Sequence, residues 1–119
     1  MKGAEGDMIF EWAYMRKGWT SCNNARTAFA EKDVSIDIEV DAKKQVFPGE
    51  AAWQVIAEAE KVYVASGKKI IQFDPADADK QVMLKKITGP SGNLRAPTLR
   101  FGKIFFIGFH PQMYDNLTK

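Results

Sequence analysis

The chain of 119 residues is 45% hydrophobic and 27% charged, the make-up of an ordinary globular protein, which excludes fibrous and low-complexity classes and leaves room for a single domain over 1–119. Its single cysteine excludes an internal disulfide, and one cysteine with one histidine is too small a donor set for a structural zinc site, so no metal is expected. The net charge is only +2 and the lysines are scattered or paired, as at Lys43-Lys44, Lys68-Lys69 and Lys85-Lys86, so nucleic acid is not an expected partner.

The polar start, Met1 to Asp7, lacks the apolar stretch of a secretory signal, and no apolar run approaches the ~20 residues that span a bilayer; a cytoplasmic location with no membrane partner is expected. Residues 1–7 read as a disordered or non-native start, since Met8 would itself serve as an initiator. Met8 to Met15 is rich in aromatic and branched residues and predicts a buried strand, ended by Arg16-Lys17-Gly18. A helix follows, capped by Thr20 or Ser21, with Cys22, Ala25, Ala28 and Phe29 at helical spacing until Glu31-Lys32-Asp33 breaks the pattern. Val34 to Val40 alternates strictly and predicts a strand with its branched residues on one face and Ser35, Asp37 and Glu39 on the other. Strand, short helix and strand in succession favour a parallel βαβ unit.

After the Pro48-Gly49 loop, a helix is predicted from Glu50 to about Lys61, with Trp53 covering a neighbouring face. Val62-Tyr63-Val64-Ala65 and Ile70-Ile71-Gln72-Phe73 flank a turn and predict a hairpin. Asp74-Pro75 is expected to start a helix running to Ile87 that turns Val82, Met83, Leu84 and Ile87 inward. Gly89-Pro90-Ser91-Gly92-Asn93 is a turn cluster and lacks the strand-to-helix setting of a phosphate loop. Thr98–Phe101 and Ile104–Ile107 predict a second hairpin around Gly102-Lys103, and His110-Pro111 opens a short last helix.

Chemistry concentrates at the start of the first helix. Unpaired backbone N–H groups and the positive end of the macrodipole stabilise a thiolate there, and position 19 would receive that benefit. Cys22 lies three residues on, on the same face but deeper. In a dithiol site the outer sulfur attacks and the inner one resolves the mixed disulfide. A lone cysteine is equally a small buried hydrophobe. Asp37, Glu39 and Asp41 read as a solvated face, not an acid–base pair.

Trp19-Thr20-Ser21-Cys22-Asn23-Asn24-Ala25-Arg26 resembles the Cys-Thr-Ser-Cys active-site helix of the arsenate-reductase and Spx branch of the thioredoxin superfamily, with tryptophan in the first cysteine's place. Arg95-Ala96-Pro97-Thr98-Leu99 resembles that superfamily's cis-proline loop, and Lys103 to Phe109 followed by His110 to Tyr114 resembles its last strand and terminal helix. The likeness is strongest at the two ends and weak between about 42 and 90. It implies an α/β, thioredoxin-like fold with a central mixed sheet from the strands at Met8, Val34, Thr98 and Ile104 and an inserted middle segment.

Arg16-Lys17-Gly18-Trp19-Thr20-Ser21-Cys22 is also similar to a subgroup of that branch carrying selenocysteine or cysteine at the position of Trp19. Selenocysteine is read from UGA, which differs from the tryptophan codon UGG at its third base, so Trp19 is expected to stand for the reactive residue. The resemblance implies a thiol- or selenol-disulfide oxidoreductase that needs no bound cofactor: the residue native to position 19 attacks, Cys22 resolves, and Thr20, Ser21, Arg95, Ala96 and Pro97 contact substrate. Its partners would be a thiol or disulfide substrate and a small thiol or partner reductase. The alternative is a redox-silent interaction protein similar to Spx regulators, with Trp19 as a contact residue. Arsenate reduction is the third reading. It implies an arginine directly before the cis-proline, where this chain has Ala96, with Arg95 one place early; Arg16, Arg26 and Arg100 remain as anion contacts.

Overall fold

Branched and aromatic residues carry Met8–Met15 into the first strand, β1, of a sheet that the rest of the chain builds outward in both directions. The computed structural model describes residues 8–113; Pro111 to Met113 of the expected last helix form a turn, in which the Met113 N–H donates to His110 O, and the rest of that helix and the expected start over 1–7 lie outside the described residues. In chain order the further elements are α1 (Thr20–Glu31), β2 (Val34–Asp41), α2 (Glu50–Ile56), β3 (Lys61–Ser66), β4 (Lys69–Phe73), α3 (Lys80–Ile87), β5 (Thr98–Phe101) and β6 (Ile104–Ile107). The result is an α/β architecture with one mixed six-stranded sheet of order β2-β1-β5-β6-β3-β4.

β1 and β2 run parallel, as a strand–helix–strand succession favours. β5 is antiparallel to both β1 and β6, and β3 is parallel to β6 and antiparallel to β4. With this register the exits of β1, β3 and β6 and the entries of β4 and β5 all lie on one rim. The four strands at Met8, Val34, Thr98 and Ile104 are contiguous, and the middle of the chain adds its hairpin to the sheet beyond β6.

Both faces of the sheet are packed. Phe10 meets Phe29 of α1 and Phe106 of β6 at centroid distances of 5.3 and 6.1 Å. Trp12 stacks on Tyr14 at 6.0 Å, and Phe47 closes edge-on over Tyr14 at 5.1 Å. Beneath α2 and α3 the core is completed by Ala52, Ile56, Met83 and Ile87, all fully buried.

Several local expectations are corrected. Trp19, not Thr20 or Ser21, is the N-cap of α1, and no side chain caps that end. α2 stops at Ile56 instead of Lys61, because the N–H groups of Glu60 and Lys61 donate to Lys103 O and draw the chain into the sheet beside β6. Asp74-Pro75 does not begin a helix. The N–H groups of Asp77 and Ala78 donate to Asp74 O in a turn, and α3 starts five residues later, where Asp79 caps it by accepting from the N–H groups of Gln81 and Val82. That start turns Val82 outward, 49% exposed. On β2 the alternation is real but its apolar face is incompletely covered, since β2 is an edge strand; Val34, Ile36 and Val40 are half-buried and Ile38 is 55% exposed.

Candidate functional site

β1 leaves the sheet at Met15, and Gly18, at φ +86, makes the turn into α1 in a conformation that side-chain-bearing residues rarely adopt. Trp19 then stands at the helix entrance, 46% exposed, with the Arg16 guanidinium 4.6 Å from its ring centroid. Thr20 and Ser21 form the exposed first turn. That turn has no acidic residue and no side-chain cap, so its backbone donors and the positive pole of the helix face outward unneutralised.

Cys22, one turn inward, is 1% exposed. Its Sγ accepts a hydrogen bond from the Arg16 backbone N–H at 3.3 Å, which ties the helix to the exit of β1. Burial pushes the thiol above its ordinary pKa; the Arg16 N–H and the Arg26 charge pull it down less strongly, and Glu39 adds to the rise. Arg26 is itself held by both carboxylate oxygens of Glu39. The buried sulfur is thus a protonated thiol at neutral pH and not a free-standing nucleophile.

The second half of the site enters from β5. Ala96–Pro97 is a cis peptide and both residues are buried. Thr98 pairs with Tyr14, so the register continued by one residue brings Pro97 beside Met15, at the strand exit from which Arg16 reaches Cys22. The Gly108 N–H donates to Pro97 O at 2.8 Å, and Thr98 Oγ1 donates to Arg95 O at 2.7 Å, which fixes the loop on both sides. Trp19, Thr20, Ser21, Cys22, Ala96 and Pro97 therefore belong to one rim of the sheet.

Arg95 belongs to the same rim but reaches away from Trp19 and Cys22. Its Nη1 donates to Ala65 O at 2.9 Å and to Lys86 O at 3.1 Å, joining β3 to the end of α3. Burial pulls its pKa down. Arg100, at the far end of β5, lies 3.8 Å from Glu11. Of the four arginines, Arg16 and Arg26 thus flank Trp19 and Cys22, while Arg95 and Arg100 do not.

Two features lay outside the sequence reading. One is the Arg16 N–H to Cys22 bond, a backbone contact that no residue pattern announces. The other is a cavity of about 630 Å³ lined by Trp12, Phe47, Val55, Arg100 and Phe105. It opens where α2 ends early, toward the β5–β6 turn and the opposite rim from Cys22, and its lining holds no cysteine, serine or threonine. Among the described residues, no group of three or more His, Cys, Asp or Glu gathers as a metal site, and no helix is long and apolar enough to cross a membrane. No family model, no curated protein and no solved structure matches this chain.

Proposed function

We propose that the chain has a thioredoxin-like fold and works as a thiol- or selenol-disulfide oxidoreductase of the arsenate-reductase-like kind, with the chalcogen at position 19 and Cys22 as the resolving thiol. The observation that carries this reading is the pairing of an exposed helix entrance at residue 19 with a buried sulfur one turn below it. The contiguous β2-β1-β5-β6 strands and the placement of Ala96-Pro97 beside the β1 exit support it.

A thiolate or selenolate at position 19 attacks one sulfur of a substrate disulfide and expels the other as a thiolate, leaving a mixed disulfide. Cys22 gives up its proton to the departing thiolate, attacks the chalcogen of residue 19, and releases the second substrate thiol. The resulting bridge between 19 and 22 is reopened by two electrons from a small thiol or a partner reductase. The raised pKa keeps Cys22 protonated until the mixed disulfide is in place. With an indole at position 19 the first step has no nucleophile, so the chain as it stands is redox-impaired.

The test is disulfide reduction by Trp19→Cys and by Trp19→Cys/Cys22→Ser. Turnover in the first and arrest at the mixed disulfide in the second support the mechanism; equal inactivity of both overturns it. Arsenate-dependent thiol oxidation by Trp19→Cys separates the oxyanion substrate from disulfides.

One observation favours a second reading, a redox-silent interaction module. Trp19 is among the exposed large hydrophobics, and the guanidinium stacked on it is of the other residue type that dominates binding hot spots. Under that reading Trp19→Ala abolishes partner binding and Cys22→Ser leaves it intact.

A further inference from the structure

We propose that the cleft between the β3–β4 turn and the end of α3 binds the oxyanion group, phosphate or carboxylate, of a small ligand. This goes beyond the redox reading and does not need a chalcogen at position 19.

The cleft has a volume of about 480 Å³ and is lined by Ser66, Gly67, Lys85, Lys86, Thr88 and Arg95 among others, with three cations and no carboxylate. Arg95 decides the case. Arg26 has Glu39, Arg100 has Glu11, and Arg16 has the Trp19 ring. Among the described residues Arg95 alone of the arginines faces neither a carboxylate nor an aromatic ring. Both of its side-chain bonds are made by Nη1 to main-chain carbonyls, which leaves Nη2 and Nε without a protein acceptor among those residues. A half-buried guanidinium with spare donors and no counter-charge is a costly arrangement that an incoming anion relieves.

The lysines supply the rest. Lys86 Nζ lies 3.4 Å from Ser66 Oγ across the mouth of the cleft, tying a flexible cation to a hydroxyl. Helix-end lysines also complement the macrodipole, and that alone accounts for Lys85 and Lys86. It does not account for a third cation brought in from the loop before β5. The negative pole of α3 opposes an anion with about half a charge, against three full positive charges. The cleft opens on the rim that carries Cys22, three strand spacings or about 14 Å along the sheet from β1, and is a separate site from it.

The experiment is a titration of the full chain with inorganic phosphate and with acetate, followed by backbone amide shifts, with chloride at matched ionic strength as the reference. Saturable shifts confined to Ser66, Gly67, Thr88 and Gly89 are expected, and the stronger of the two anions identifies the group. Arg95→Gln is expected to weaken binding about tenfold or more. Because Arg95 also braces Ala65 and Lys86, the pair Lys85→Gln/Lys86→Gln, which leaves those backbone bonds in place, is the second arm and is expected to weaken it as well. Absent or non-saturating shifts, shifts reproduced by chloride, shifts centred on Arg16 to Cys22, or unchanged affinity in the double variant each overturn the proposal. Binding by the tryptophan-bearing chain with a redox-dead Trp19→Cys, or the reverse, separates the fate of this proposal from that of the oxidoreductase reading.

Discussion

A Cβ placed on Gly108 would stand 2.6 Å from Nη2 of Arg95 and 3.1 Å from the Ala65 Cβ. Gly108 also has φ +81, and its N–H holds Pro97 O. One small residue at the exit of β6 therefore makes room for the arginine and anchors the loop before β5. Gly108→Ala is expected to cost at least about 1–2 kcal/mol from the backbone conformation alone. It is also expected to displace the guanidinium from Ala65 O and Lys86 O. Urea unfolding reads the first effect and the Arg95 Nε resonance the second.

Cys22 gives stability a defined pH dependence. Its folded-state pKa is raised by burial. Below the ordinary thiol pKa of about 8.5 both folded and unfolded chains hold the proton and nothing changes. As pH rises past that value the unfolded chain releases the proton first, and the folded state loses stability until its own raised pKa is passed. The stability advantage of the wild type over Cys22→Ala should shrink between pH 7.5 and 9.5. An advantage that stays constant in urea unfolding at the two pH values would contradict the assignment.

In Trp19→Cys the two sulfurs should differ in reactivity. Residue 19 is exposed at an uncapped helix entrance, whereas Cys22 is buried and its pKa raised. The new thiol is expected to alkylate about tenfold faster or more than Cys22 at pH 7, with a pH midpoint below the ordinary value. Mild oxidation should join the pair with loss of two hydrogens. Mass spectrometry after timed iodoacetamide treatment checks both.

Asn93 ties the loops over the sheet. Its Oδ1 accepts from the Phe47 N–H at 2.5 Å and its Nδ2 donates to Tyr14 Oη at 3.1 Å; Tyr14 Oη in turn donates to Gln45 O at 2.6 Å. Asn93→Ala strands a backbone donor beside a fully buried tyrosine and is expected to cost about 1–3 kcal/mol. Tyr14→Phe, which keeps the Asn93–Phe47 bond, should cost less. Thermal unfolding of both variants orders them.

Removing the cap of α3 offers a milder test. Asp79 Oδ1 accepts from the N–H groups of Gln81 and Val82 at 2.9 and 3.3 Å. Asp79→Ala should lower stability by about 1 kcal/mol, and Asp79→Ser should recover most of it. A start of the helix at Asp74 instead would leave Asp79→Ala nearly silent.

Strands were the most legible part of the chain, because branched and aromatic runs bounded by glycine leave few alternatives. Both hairpins and the Val34–Asp41 strand stand where the residues place them. Helix ends were less legible. Asp74-Pro75 has the local chemistry of a start, yet Asp79 offers a cap nearer the apolar residues Met83 and Ile87, and packing decides. The short α2 is set by a partner 43 residues downstream, Lys103 O, which local pattern does not contain. At the candidate site, the burial of Cys22 beside Ala25 and Phe29 follows from helical periodicity, and the exposure of residue 19 from its place at the helix start. The engagement of Arg95 with Ala65 and Lys86 depends on β3 joining the sheet beside β6, a pairing between distant segments.

The common rim has a wider consequence. Strand exits at Met15, Ser66 and Ile107 converge there, whereas the opposite edge is closed by brief links such as Gly102-Lys103. Ligands of open α/β sheets gather outside such carboxyl ends. Exchanging side chains in these connections leaves the strand ladders and the layered phenylalanines untouched, so recognition is free to drift across this margin while the scaffold beneath is inherited unchanged.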